Sequence, residues 1–486
     1  MKKITNLLTK SKKALLALLI TANLAAFATG SANLDFASES ALLATPSAIQ
    51  ESVPTVDAPK EAYAIPQELN SKKLKESFYI EKKEAAKINK DTTGEFVSDE
   101  IIVDFIEGLS ADEMENVLKN NNLKIARDKI DPNSKVVKVM DNLRDVRIEL
   151  LKKNPNVKDA RRNGIGKVNE IGNGGFSFGA PGLPASNEPN DPYYQFQWNL
   201  HKIKMKDAWN WTKGNSDTIV AVLDSGVNYN HNDLLAGRII KGYDFVSGDS
   251  DPMDEYDHGT ATTGLIAANT NNGLDLASVN WFTRVLAIRI VDGNGFTTAD
   301  RMENGIRYAG DYNSVKILSI SVREDPDPGI TNAILEIIQT KTVIAASRYP
   351  VGYEQTPHCD VGFPASVSGV ISVNGTDEFD NEVTGCGMGS TINDFVVSAP
   401  GMRITTLNQN GGYSQRNGSS FAAPQVSALA AMIWSCAPAS YTDAQKNTYV
   451  KDSIRSGLDP TGVNNSYYKE SLGRINARKA LDHFCF

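Results

Sequence analysis

Cysteine and histidine are scarce in this chain, four and five among 486 residues. No Cys-x-x-Cys pair and no His-rich cluster occurs, which argues against a zinc site. Basic charge is also short. The formal net charge is −8, and no basic stripe is present to neutralise phosphates, so a nucleic-acid partner is not expected. Beyond the first thirty residues no apolar run approaches the length of a transmembrane helix. No internal repeat is found. What remains is ordinary for a globular chain with a sizeable core, at 41% hydrophobic and 22% charged residues. The surplus of carboxylates leaves some free to hold a hard cation.

The first thirty residues have the pattern of an export signal. Lys2, Lys3, Lys10, Lys12 and Lys13 form a basic region, Ala14 to Ala28 is largely apolar, and Ala26-Phe27-Ala28 fits a cleavage site. The apolar run is short for a membrane anchor. The expected location is therefore secreted or periplasmic, with no membrane attachment after signal cleavage. In an exported chain, Cys359, Cys386, Cys436 and Cys485 can form two disulfides, in any of three connectivities. Cys359–Cys386 with Cys436–Cys485 is the working expectation; four buried thiols are the alternative.

Texture along the chain marks further boundaries. Residues 31–94 are rich in Ala, Ser, Pro, Glu and Lys without sustained periodicity, as in a disordered spacer. Residues 95–168 read as strand, helix, strand, helix: Ile101–Phe105, Ser110–Asn120 with a Ser-x-x-Glu capping box, Lys135–Val139 and Asp145–Lys153. Residues 169–186 are a linker, Gly-rich from Gly172, where a protease could cut. From residue 187 onward, largely apolar segments at Thr218–Leu223, Arg284–Val291, Val315–Ile320, Thr342–Ala346 and Val370–Val373 alternate with helical patterns at Thr298–Tyr308 and Thr331–Thr340. That alternation predicts a parallel sheet covered on both faces, with functional groups at the carboxyl ends of its strands.

Three segments carry chemistry. Asp224 ends an apolar strand and is followed by Ser225-Gly226. His258 stands in Asp257-His258-Gly259-Thr260 ahead of a small-residue helix. Ser420 lies in Asn417-Gly418-Ser419-Ser420-Phe421-Ala422-Ala423-Pro424, opening an apolar helix. A serine there gains from the positive end of the helix dipole, and its N–H can help bind an oxyanion. Each motif alone is weak: a strand-ending Asp is usually a turn residue, and a lone His a polar side chain. Together, in the order Asp, His, Ser, they are specific.

Residues 187–486 resemble a subtilase catalytic domain, and residues 95–168 its inhibitory propeptide. Asn190-Asp191-Pro192-Tyr193 and Gln197-Trp198-Asn199-Leu200 are similar to the thermitase branch. The resemblance implies an α/β fold, a subtilisin-like, mainly parallel sheet with helices on both faces, preceded by a small α+β propeptide domain. It implies a monomeric serine endopeptidase acting on protein or peptide substrates and partnered by its own propeptide. Asp224 would orient His258, His258 would take the proton of Ser420, and Ser420 would attack the scissile carbonyl. Ser319 and Ser321 would lie on the substrate-binding strand. Ca²⁺ is implied at Asp191, Asp233 and Asn272, and at a weaker site of Asp244, Asp249 and Asp251, where Ser247 replaces a usual acid. Solvated acidic loops are the alternative for both clusters.

The chain departs from the family around the triad. Where members carry Ala-Ala-Gly-Asn, with Asn donating to the oxyanion, this chain has Ala345-Ala346-Ser347-Arg348. Losing such a donor costs about 10²–10³ in turnover; the Arg348 guanidinium is a candidate substitute. Ser319-Ile320-Ser321-Val322 replaces Ser-Leu-Gly-Gly, and Phe421 stands where Met is common. Two functions follow: a working endopeptidase, or an impaired homologue that binds or regulates.

Overall fold

A computed structural model of the chain describes residues 96–168 (Asn142 aside), 188–346 (Leu235 and Ala236 aside), 362–381, 395–461 and 473–482. The export-signal pattern, the spacer up to residue 95, the Gly-rich linker, Ser347, Arg348, Cys359, Cys386 and Cys485 lie outside these residues, and with them both expected disulfides.

The N-terminal lobe runs β1 (Phe96–Phe105), α1 (Ala111–Asn120), β2 (Leu123–Asp128), β3 (Ser134–Val139), α2 (Arg144–Leu151) and β4 (Val157–Val168). The expected strand–helix–strand–helix therefore gains two strands. Leu123-Lys124-Ile125-Ala126-Arg127-Asp128 buries only Leu123, so β2 lacks a strand's apolar alternation. β4 is interrupted by Gly164 and Gly166 and crowded with charge. Ser110 caps α1 in the anticipated capping box with Glu113. The antiparallel order is β4-β1-β3-β2, and Ile101, Val103, Met114, Leu118, Val137 and Leu151 fill a core belonging to this lobe.

The larger lobe is built on seven parallel strands in the order β13-β12-β11-β9-β5-β7-β6. They are β5 (Ile219–Asp224), β6 (Ile239–Asp244), β7 (Arg284–Arg289), β9 (Val315–Ile320), β11 (Thr342–Ala346), β12 (Ile371–Thr376) and β13 (Val396–Pro400). All six residues of β5 are buried, as expected of a strand covered on both faces. Its side chains alternate between two cores. Val220 and Val222 join Ala422, Val426 and Leu429 of one helix layer. Ala221 and Leu223 join Met302, Ile306, Ile330 and Ile334 of the other. The helices involved are α3 (His258–Ala267), α4 (Ala299–Asp311), α5 (Pro328–Ile337) and α6 (Ser419–Cys436). Short strands β8 (Phe296–Thr298) and β10 (Val322–Arg323) stand apart from this sheet, and β14 (Ile404–Leu407) pairs with β15 (Tyr413–Arg416).

The two lobes share a strand. The first part of β4 pairs with β1, and its second part enters the larger lobe. There it pairs antiparallel with β8 (Ile165 with Thr298, Gly166 with Thr297, Lys167 with Phe296) and with β10 (Lys167 with Arg323, Val168 with Val322).

Candidate active site

Asp224 is the last residue of β5, at the carboxyl end of a central parallel strand. His258 is the first residue of α3, and Ser420 the second of α6. A Cβ on Gly259 would lie 2.0 Å from the Gly226 carbonyl oxygen. Only glycine lets α3 approach the turn after Asp224 so closely. Asp224 Oδ1 is 2.7 Å from His258 Nδ1, and all three residues are buried. The carboxylate is fixed from both sides, since Ser225 N–H donates to Oδ1 at 2.7 Å and Thr262 Oγ1 to Oδ2 at 3.2 Å. A carboxylate so held sets the imidazole's orientation and favours a proton on Nδ1.

The Ser420 hydroxyl donates to the Ser321 carbonyl at 3.0 Å, and Ser321 Oγ returns a bond to the Ser420 carbonyl at 2.9 Å. The ring of Phe421, next in sequence to Ser420, lies 5.4 Å from that of His258. Ser321 thus touches the serine, while Ser319 is buried within β9 between Val222 and Ile344.

Asp254 is a residue the sequence reading passed over. It is buried, and its carboxylate accepts from Ser225 Oγ (2.7 Å), Tyr256 N (3.0 Å), Asp257 N (2.9 Å), Thr260 N (2.8 Å) and Thr260 Oγ1 (2.6 Å). Ser225 Oγ in turn accepts from Gly259 N–H at 2.8 Å. Asp254 therefore ties the segment after Asp224 to the start of the helix bearing His258. Its position four residues before His258 was the available signal.

The chain therefore carries a strand-end acid bonded to a helix-opening histidine, beside a second helix that opens on serine. The sequence profile of the subtilase family matches residues 215–468. The chain belongs to the subtilase family. This subtilase is a subtilisin-like serine peptidase, and residues 82–163 match the fervidolysin N-terminal prodomain. It is 32% identical over 394 residues to the thermophilic serine proteinase of Bacillus sp. (strain AK1), covering 80% of this chain and 89% of that one. It is 31% identical over 297 residues to thermitase of Thermoactinomyces vulgaris, covering 61% and 99%. The cell wall-associated protease of Bacillus subtilis (strain 168) is 27% identical over 285 residues, covering 56% and 30%.

The subtilase's acidic clusters differ in construction. Asp191, Asp233 and Asn272 come together. Asp191 accepts from the backbone of Asn271 (2.7 Å) and Asn272 (3.1 Å). Asp233 accepts from Asn272 Nδ2 (2.8 Å) and Leu276 N (3.1 Å). Both acids are buried. Burial lifts Asp191 to about 6 and, with the nearby Asp275 and Asp191 charges, Asp233 to about 8. Two buried carboxylates with no ion pair to either among the described residues, Asp233 feeling only the more distant Arg238 charge, fit the donor set of a hard cation. Asp244 and Asp249 are bonded through their backbones (Asp244 N to Asp249 O, 2.8 Å), but the acids of this second cluster have other side-chain partners. Asp244 is paired with Arg289 (2.9 Å) and accepts from Val246 N and Ser247 N. Asp251 is bonded to Tyr229 and Lys241, and Asp249 accepts from Asp251 N. Among the described residues no three His, Cys, Asp or Glu side chains form a metal-binding group, and no helix is long and apolar enough to cross a membrane.

The contact between the lobes is strongly charged. Arg127 reaches Glu100 (2.5 Å) in its own lobe and Asp300 (2.8 Å) in the other; Asn163 bonds to both acids. Lys129 pairs with Glu303, and Arg161 with Asp327 (2.7 Å). Burial works to raise the pKa of Asp300, but the Arg127 guanidinium outweighs it and holds the carboxyl below its usual range.

Proposed function

We propose that this subtilase is a secreted serine endopeptidase, made as a precursor that cuts itself. Asp224 orients His258, and His258 accepts the Ser420 proton as Oγ attacks the scissile carbonyl. The imidazolium then protonates the leaving amine, and water releases the acyl-enzyme by the same relay. In this reading the Ser420 hydroxyl leaves the Ser321 carbonyl and turns to His258 as substrate enters; such bonds commonly tighten only in the reacting complex.

The observation that carries the proposal is the path of β4. It lies as an extended strand between β8 and β10, and its Val168 pairs with the residue next to Ser321. Strand addition is how proteins commonly hold an extended peptide. The N-terminal lobe thus occupies the cleft as a substrate would, with the Gly-rich segment 172–186 to hold the cut. Export follows from the basic and apolar opening segment, and relatives include an extracellular protease of Xanthomonas campestris pv. campestris. Asp191, Asp233 and Asn272 would hold Ca²⁺, which offsets their buried charge and pins the loop at 271–276.

A fluorophosphonate probe tests the reading, because labelling of Ser420 requires an activated nucleophile. Labelling that is absent in the wild type and in the isolated processed form would overturn it. The replacement of the oxyanion Asn by Arg348 favours a second reading, an impaired homologue that binds peptides, and the same experiment separates the two.

A further inference from the structure

Glu324 follows β10 directly and is only 3% exposed. Among the described residues no side chain donates to either oxygen of its carboxylate, on which only the Asp325 backbone and the Arg323 charge act to favour ionisation. Burial, and the neighbouring Asp325 and Asp327 charges, push its pKa well above the usual carboxylate range. A buried carboxyl that no side chain hydrogen-bonds is costly.

What lies against it is β4. A Cβ on Gly164 would sit 2.3 Å from Glu324 Oε1, and one on Gly166 2.3 Å from Oε2. The two glycines are two apart on a strand and face the same side. They differ in what else they meet. A Cβ at Gly166 would also strike the Arg323 carbonyl oxygen at 2.2 Å, whereas at Gly164 the only close contact is the Glu324 carboxylate itself. The position taken by Gly164 is therefore one where a side chain in the cleft would meet an acid and little more.

The acids nearby are matched to β4 and its lobe by charge. Arg127 sits on Asp300, Lys129 on Glu303 and Arg161 on Asp327. All three cations belong to the N-terminal lobe and all three acids to the larger one. When the N-terminal lobe leaves, the acids lose these partners together, and Glu324 loses the backbone that covers it.

We propose that the vacated cleft is an acidic subsite, floored by Glu324 and flanked by Asp300, Glu303 and Asp327, that selects polypeptide substrates carrying Lys or Arg upstream of the scissile bond. It rests on the endopeptidase reading above. The lobe that blocks the cleft uses glycine at the key position and supplies its cations from elsewhere, so it occupies the subsite without filling it as a basic substrate does.

The test has two arms. In the first, the processed chain is given two peptides copying residues 157–180, identical except for Lys or Glu in place of Gly164. The kcat/KM ratio is expected to favour Lys by about tenfold at low ionic strength, the order produced by one partly desolvated charge pair. It should fall towards one in Glu324→Gln. In the second arm, which needs no activity, the full-length Ser420→Ala chain carries Gly164→Lys or Gly164→Glu. The Lys variant is expected to melt at the higher temperature, and the difference to vanish when Glu324→Gln is added. Equal cleavage of the two peptides overturns the subsite, whatever the melting result. If neither peptide is cleaved, the endopeptidase reading falls, and the melting difference alone decides: present, the subsite stands; absent, it falls too.

Discussion

Val168 of the N-terminal lobe pairs antiparallel with Val322, and Ser321, the residue before Val322, exchanges hydrogen bonds with Ser420. A strand from one lobe is thereby registered against the candidate nucleophile of the other. In an antiparallel pair one slipped residue would turn every side chain to the opposite face, so this register governs what reaches Ser420.

Self-processing is the first consequence. The purified wild-type precursor is expected to shorten by cleavage in segment 172–186, while Ser420→Ala stays full length, as mass spectrometry would show. On peptide substrates Ser420→Ala and His258→Ala should each lose about 10⁶ in kcat and Asp224→Ala about 10⁴, the sizes known for subtilisin's own triad. Equal persistence of the wild-type and Ser420→Ala precursors would refute self-processing.

Chelation is expected to lower the melting temperature, and to do so in a pH-dependent way. Asp233 is raised to about 8 and Asp191 to about 6. An acid whose pKa is higher in the folded state holds its proton longer there than in the unfolded chain. Without cation, stability should therefore fall as pH rises from about 4 to 8. Excess Ca²⁺ should flatten that slope. Scanning calorimetry with EGTA and with Ca²⁺ at pH 5 and pH 8 checks this; identical melting in all four conditions would refute it.

Arg348→Asn is expected to raise kcat by about 10²–10³, the value of one well-placed oxyanion donor. A comparable fall would identify the Arg348 guanidinium as the working donor.

The interlobe charges should matter for the precursor. Asp300→Ala leaves Arg127 with only Glu100 and Asn163 without one of its two acids. In the Ser420→Ala chain this is expected to destabilise the docked lobe by about 3 kcal/mol, as when one partner of a buried pair is removed. Denaturant melts of the single and double variants measure it. A change below about 0.5 kcal/mol would place the pair among ordinary surface bridges.

The parallel sheet and the candidate triad were legible because each depends on local pattern. Strands β9 and β11 fall where the largely apolar runs Val315–Ile320 and Thr342–Ala346 lie, since a strand buried on both faces is near-continuously apolar. Asp224, His258 and Ser420 stand at a strand end and two helix starts, each marked by its own neighbours in sequence.

β4 was not legible. Its Val157-Lys158-Asp159-Ala160-Arg161-Arg162-Asn163-Gly164-Ile165-Gly166-Lys167-Val168 has neither alternation nor an apolar run, because its second half is completed by β8 and β10, far along the chain. Its Arg161 and Asn163 bond Asp327 and Asp300 of the other lobe, partners that no neighbour in sequence announces. Asp244, expected as a cation ligand, pairs with Arg289, a partner that only the adjacency of β6 and β7 supplies. The amino-acid sequence determined which segments must be buried and which residues could carry the chemistry. Tertiary structure decided which charges meet and which strand enters the cleft, because those interactions join residues that no local pattern relates.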